Sequence, residues 1–85
     1  MPTPVQQVSI IIPTFNEAET LAACLNCLGA IAGEIIVVDG GSSDQTLSIA
    51  KDFNCKTISA PQGRGQQLAA GAQLSAKTWL LFLHA

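Results

Sequence analysis

Four short apolar runs, rich in β-branched residues, constrain this chain more than any other feature. They are "VSIII" at 8–12, "EIIVVD" at 34–39, "KTIS" at 56–59 and "TWLLFLH" at 78–84. The first two show no apolar–polar alternation, so both faces of each strand must be buried. Strands of that kind belong to parallel sheets with helices on either side. Between the runs lie polar turns followed by helical patterns, giving the order βαβαβαβ and a three-layer, Rossmann-like α/β fold. Right-handed crossovers place every strand-to-helix loop at one edge of such a sheet. Ligands bind there, outside the carboxyl ends of the strands near the topological switch point.

The element boundaries follow from local chemistry. Pro13 has no N–H and is expected to stop the first strand at Ile12. Asn16 with Glu19 three residues later reads as a capping box for a first helix, whose apolar positions are Leu21, Cys24, Leu25, Leu28 and Ile31, with Gly29 and Gly33 at its end. Ser42 or Ser43 is the expected cap of a second helix over about 44–53, packing through Leu47, Ile49, Ala50 and Phe53. A third helix is expected from Gln66 to about Ala76.

Composition removes several function classes. Only 12% of the 85 residues are charged, the net charge is −2, and the four basic residues are scattered, which argues against nucleic acid as a partner. No apolar run in the chain approaches the roughly 20 residues of a transmembrane helix. Three cysteines, without a secretory signal at the start, point to reduced thiols and a cytoplasmic protein. Cys24 and Cys27 form a C-x-x-C inside a helix rather than at its N-terminus, which favours packing over redox chemistry.

The loops of the ligand edge are "PTFNE", "DGGSSD" and "PQGRGQ". Asp39 ends the second strand, where a carboxylate can accept from a ribose hydroxyl or base N–H, or can cap its own Gly40–Gly41–Ser42 turn. Glu17 reads as a first-turn carboxylate favoured by the helix dipole, and Arg64 as a solvated loop charge. Neither a G-x-G-x-x-G after the first strand nor a P-loop is present, so a nucleotide held here would not rest its phosphates in a glycine loop at that point.

The blocks "VSIIIPTFNEAETLAACL", "EIIVVDGGSSDQT", "GRGQQLAAGA" and "WLLFLHA", in this order and spacing, resemble the amino-terminal half of a family 2 glycosyltransferase of the GT-A fold. The ending is similar to that of a bacterial subgroup. The resemblance covers essentially the whole chain and implies a single truncated domain over 1–85 that binds a nucleotide-diphosphate sugar, commonly a UDP-sugar. By position, Pro13, Thr14 and Glu17 would line the base and ribose pocket. Asp39 would bond to the base with Gly41 and Ser42 beside it, and Arg64 would lie near the base or phosphates. A divalent metal, Mn²⁺ or Mg²⁺, is implied for the full-length protein, its D-x-D motif beginning about where His84 stands and continuing just after Ala85. The resemblance puts no catalytic residue within the chain, which is expected to be inactive alone, and is compatible with a full-length protein at the inner face of the membrane. Two alternatives are a nucleotide-binding module without catalysis and a structural fragment that forms a homo-oligomer through an exposed sheet edge.

Overall fold

The computed structural model describes residues 8–28, 34–75 and 79–83. Four parallel strands, β1 (Val8–Thr14), β2 (Glu34–Asp39), β3 (Lys56–Ser59) and β4 (Trp79–Phe82), form one sheet in the order β3-β2-β1-β4. Helices α1 (Ala18–Leu28), α2 (Thr46–Asp52) and α3 (Arg64–Leu74) connect them in turn. The path moves outward from β1 to β3, and α3 then carries it back across the sheet to β4 on the other side of β1. The reversal of strand order therefore falls between β1 and β4.

The unbroken apolar runs fill two cores. Ile10, Ile12 and Val37 are buried with Leu21 and Leu25 of α1 and Ala50 of α2. Their neighbours in sequence, Ile11, Ile36 and Val38, are buried on the opposite face, against Leu68 and Ala70 of α3. Successive side chains of a strand point to opposite faces, so one run of isoleucines and valines serves both layers.

β2 and β3 begin and end where their apolar patterns do, whereas β1 runs two residues past its expected stop. The ladder explains why Pro13 is tolerated. Ile11 accepts from the Leu83 amide on the β4 side, while Thr14 accepts from Gly40 on the β2 side. Ladder parity thus turns the Pro13 nitrogen toward β4, beyond the last paired β4 residue, and no bond to β2 is lost. Helix α3 starts two residues before Gln66, so Arg64 is its first residue and not a loop residue. Helix α2 is shorter than expected, and Phe53, at its end, is exposed. Gly29, Ile31, Gly33, Ala76, Thr78, His84 and Ala85 lie outside the described residues.

Cys24 packs against the core of α1 and α2, while Cys27 is exposed. Burial, with the neighbouring Cys27 adding to it, pushes the Cys24 thiol above its ordinary pKa. An activated redox cysteine needs the opposite shift. Among the described residues no helix is long and apolar enough to cross a membrane.

Candidate functional site

Thr14, Asp39 and Ser59 stand level at the carboxyl ends of β1, β2 and β3. The loops that leave them are tied together by side-chain to backbone bonds. Asn16 adopts a left-handed conformation, φ 54°, and its amide donates to Ser42 Oγ at 2.8 Å while its side-chain oxygen accepts from the Ser43 amide at 2.8 Å. The Glu17 amide donates to Thr46 Oγ1 at 3.0 Å and the Ala18 amide to Asp44 Oδ2 at 3.2 Å. The other Asp44 oxygen accepts from the Thr46 amide and hydroxyl.

These contacts correct two expectations. The N-terminus of α1 is capped across the fold by Asp44 and Thr46, not by a local Asn16–Glu19 box. Ser42 and Ser43 do not cap α2, because Ser42 is committed to Asp39 and Asn16, and Ser43 to Asn16. Both expectations looked to neighbours within one segment, whereas the bonds that join the first and second loops span 26 to 29 residues.

Asp39 is 1% exposed. Its Oδ1 accepts from the Thr14 hydroxyl at 2.8 Å and the Ser42 hydroxyl at 2.5 Å. Its Oδ2 accepts from the Gly41 amide at 3.0 Å and the Ser42 amide at 2.7 Å. Burial pushes this carboxyl up. The bonds from Ser42, Thr14 and Gly41 together outweigh that effect and hold the pKa below the ordinary carboxylate value. Gly41, at φ +102°, takes a backbone conformation that few side chains permit, so that its amide can turn back to Asp39. Of the two readings of Asp39, the structure displays the turn-capping one in full.

On the face of the sheet opposite α1 and α2, the loop after β3 enters α3. Gln67 is 4% exposed and donates through Nε2 to the carbonyls of Thr14 and Val38, both at 2.9 Å. Its Oε1 accepts from the Gly63 amide at 3.1 Å. Between this turn and the loop after β1 opens a cleft of about 220 Å³.

Four residues singled out in the sequence line that cleft: Pro13, Thr14, Glu17 and Arg64. Asp39, Gly41 and Ser42 do not; they build the turn behind Thr14. Phe15, Gln62, Gly63 and Gln67 also line it and were missed. Phe15 was legible in principle, because an aromatic residue between a strand end and a helix start has little core to join, and it is 39% exposed. Among the described residues no group of three or more His, Cys, Asp or Glu side chains could hold a metal ion, and His84 lies outside them.

Residues 9–85 match the family model described as glycosyl transferase family 2. A PGL/p-HBAD biosynthesis glycosyltransferase of Mycobacterium bovis is 41% identical over 87 residues, an alignment covering 91% of this chain and 34% of that protein. An uncharacterized glycosyltransferase of Rickettsia felis is 35% identical over 81 residues, covering 94% of this chain and 29% of that protein. The chain thus spans about a third of the length of the curated relatives it matches. Among solved structures, glucosyl-3-phosphoglycerate synthase from Mycobacterium tuberculosis, in complex with Mn²⁺, UDP and glucosyl-3-phosphoglycerate, superposes with a TM-score of 0.83 at 21% identity, over 92% of this chain and 33% of that one. That likeness shows a shared α/β fold of the GT-A type.

Proposed function

The chain belongs to glycosyl transferase family 2, and from that membership we propose that its cleft receives the nucleoside end of a nucleotide-diphosphate sugar, UDP in the first instance. The full-length protein then transfers the sugar to an acceptor, with the diphosphate leaving from the anomeric carbon. The observation that carries this reading is the position of the cleft. It lies at the carboxyl edge beside the strand-order reversal, and it joins Thr14 and Glu17 of one loop to Arg64 of another.

The cleft's size fits the nucleoside part of a donor. Pockets that enclose a whole drug-sized ligand run to about 300–1,000 Å³, so about 220 Å³ accommodates a base with its ribose and leaves the sugar outside. The exposed ring of Phe15 offers a face for a base, Glu17 an acceptor for ribose hydroxyls, and Arg64 a cation for a phosphate. Asp39 holds the Thr14 side of the cleft through Oδ1. For Asp39 to bond directly to a base N–H, the Ser42 hydroxyl must give up its place on that oxygen. The described residues bring together no group of three or more carboxylate, imidazole or thiol side chains, so this reading gives them no part in holding a metal.

An amide NMR titration of this chain with UDP tests the reading. Shifts should concentrate at Thr14, Phe15, Gly63 and Arg64, and Phe15→Ala should weaken binding by roughly 5- to 150-fold, the equivalent of about 1–3 kcal/mol of base stacking. A well-dispersed spectrum that ignores UDP at millimolar concentration overturns the assignment.

A second reading has its own observation. Leu81 and Phe82 on edge strand β4 are each 46% exposed, and an exposed apolar edge invites pairing between copies. Under that reading, the sedimentation coefficient of this chain rises with concentration. A coefficient that stays at the monomer value removes it.

A further inference from the structure

We infer that Gln67 is a positioning residue for the cleft, a clamp that holds the Gly63–Arg64 turn of α3 against the ends of β1 and β2. The inference rests on the nucleotide reading only for its ligand; the clamp itself is a matter of geometry.

"GRGQQL" places two glutamines side by side. On a helix they point about 100° apart, and only Gln67 turns into the fold, while Gln66 is exposed. A buried amide costs free energy unless its groups are paired, and a leucine would fill the space without that cost. Gln67 uses both Nε2 hydrogens on carbonyls that lie 53 and 29 residues away in sequence, and its oxygen on the Gly63 amide. Reversing the amide would face its oxygen against two carbonyls and its NH₂ against an N–H, so the three bonds fix its orientation together.

Gly40 supplies an independent observation. A Cβ there would lie 3.1 Å from Gln67 Cδ and Oε1 and 3.2 Å from Gln62 Cα. The Gly40 amide also donates to the same Thr14 carbonyl that Gln67 bonds, at 2.9 Å. The glycine after β2 thus leaves the room that the clamp occupies. Thr14, Gly63, Arg64 and Gln67 all line the cleft, so the clamp sets the separation of its two walls. Gln67 needs no contact with the ligand to do this; it acts through Thr14 and Arg64.

Gln67→Met keeps length and approximate volume and removes all three bonds. We expect its UDP dissociation constant to rise tenfold or more. Its Gly63 amide should exchange at least tenfold faster, with the Ile11 and Val37 amides still protected. Leu28→Ala, at the last residue of α1, weakens packing away from the cleft and should bind UDP as the unmodified chain does. Wild-type affinity in Gln67→Met, or equal losses of affinity in both variants, overturns the positioning role. Should Gln67→Met fail to fold, the unmodified chain decides the matter. A protected Gly63 amide supports the clamp, and one that exchanges like an open loop overturns it. An unmodified chain that ignores UDP removes the nucleotide reading, while exchange at Gly63 in the two variants still tests the clamp.

Discussion

Gly71→Ala is expected to lower the stability of this chain by about 1–3 kcal/mol, the usual cost of overpacking a filled core, and Gly71→Val to abolish cooperative folding. Helix propensity argues the other way. Alanine in place of glycine inside a helix is ordinarily worth up to about 1 kcal/mol of stabilisation. The contact decides the sign. A Cβ on Gly71 would press inside van der Waals distance of Ile11 Cγ2 and lie 2.9 Å from Val38 Cγ2. Both methyls belong to β-branched side chains in the buried core, with restricted χ1 rotation and close-packed neighbours. At Gly71, therefore, α3 approaches β1 and β2 too closely to admit a side chain. Relief of the overlap would lift α3 from the sheet and carry Gln67 and Arg64, on the same helix, away from Thr14. Urea unfolding measures the effect, and a Gly71→Ala variant more stable than the parent would refute this account of the α3 layer.

Gly71 also marks the limit of what could be read beforehand. Within "LAAGAQL" a glycine looks like a tolerated weak helix former, because the sequence does not say which helical positions meet a strand at close range. The strands were legible for the opposite reason. A run such as "EIIVVD" carries its burial on both faces in its own composition, and β2 coincides with it from end to end. The same two-faced pattern placed helices on both sides of a parallel sheet. Pro13 was misjudged because its effect depends on which neighbour its nitrogen faces, and ladder parity appears only once β1 has partners on both edges.

The loops were legible in residue type and not in pairing. Asn16, Ser42, Ser43 and Asp44 are all residues that bond to nearby backbone, and local rules assign them to caps and turns in their own segments. In the fold each of them also bonds across the gap between the first and second loops, where the register Thr14↔Asp39 brings those loops together. Gln67 is the extreme case. Nothing within four residues separates it from Gln66 except helix phase, and the carbonyls it satisfies are supplied by β1 and β2. Half of the cleft was nonetheless anticipated, since Pro13, Thr14, Glu17 and Arg64 stand at strand ends and helix starts, which a parallel fold brings to one edge.

The second large effect is expected at Asp39. Asp39→Ala should cost roughly 2–4 kcal/mol, because the Gly41 and Ser42 amides and the Thr14 hydroxyl lose a charged acceptor that nothing nearby replaces. Asp39→Asn separates charge from shape. Its amide group can present one oxygen to the two backbone donors only by turning its NH₂ toward the Thr14 and Ser42 hydroxyls, and Ser42 Oγ already accepts from Asn16. The pH dependence follows from the depressed pKa. Folding then favours the ionised form, so the stabilisation is complete above the unfolded-state value of about 3.9 and is lost as pH falls through the lower folded-state value. The unmodified chain should therefore hold constant stability from neutral pH down to about pH 5 and weaken progressively in stronger acid. Asp39→Asn should start lower and weaken less steeply. The slope that remains belongs in part to Asp44, whose pKa is held down chiefly by the Thr46 hydroxyl and amide and by the Ala18 amide. Parallel pH–stability curves for the two proteins would mean that the Asp39 carboxylate is not bonded as described. That result would free its oxygens for a base, and the turn would then have to be held by its glycines and serines alone.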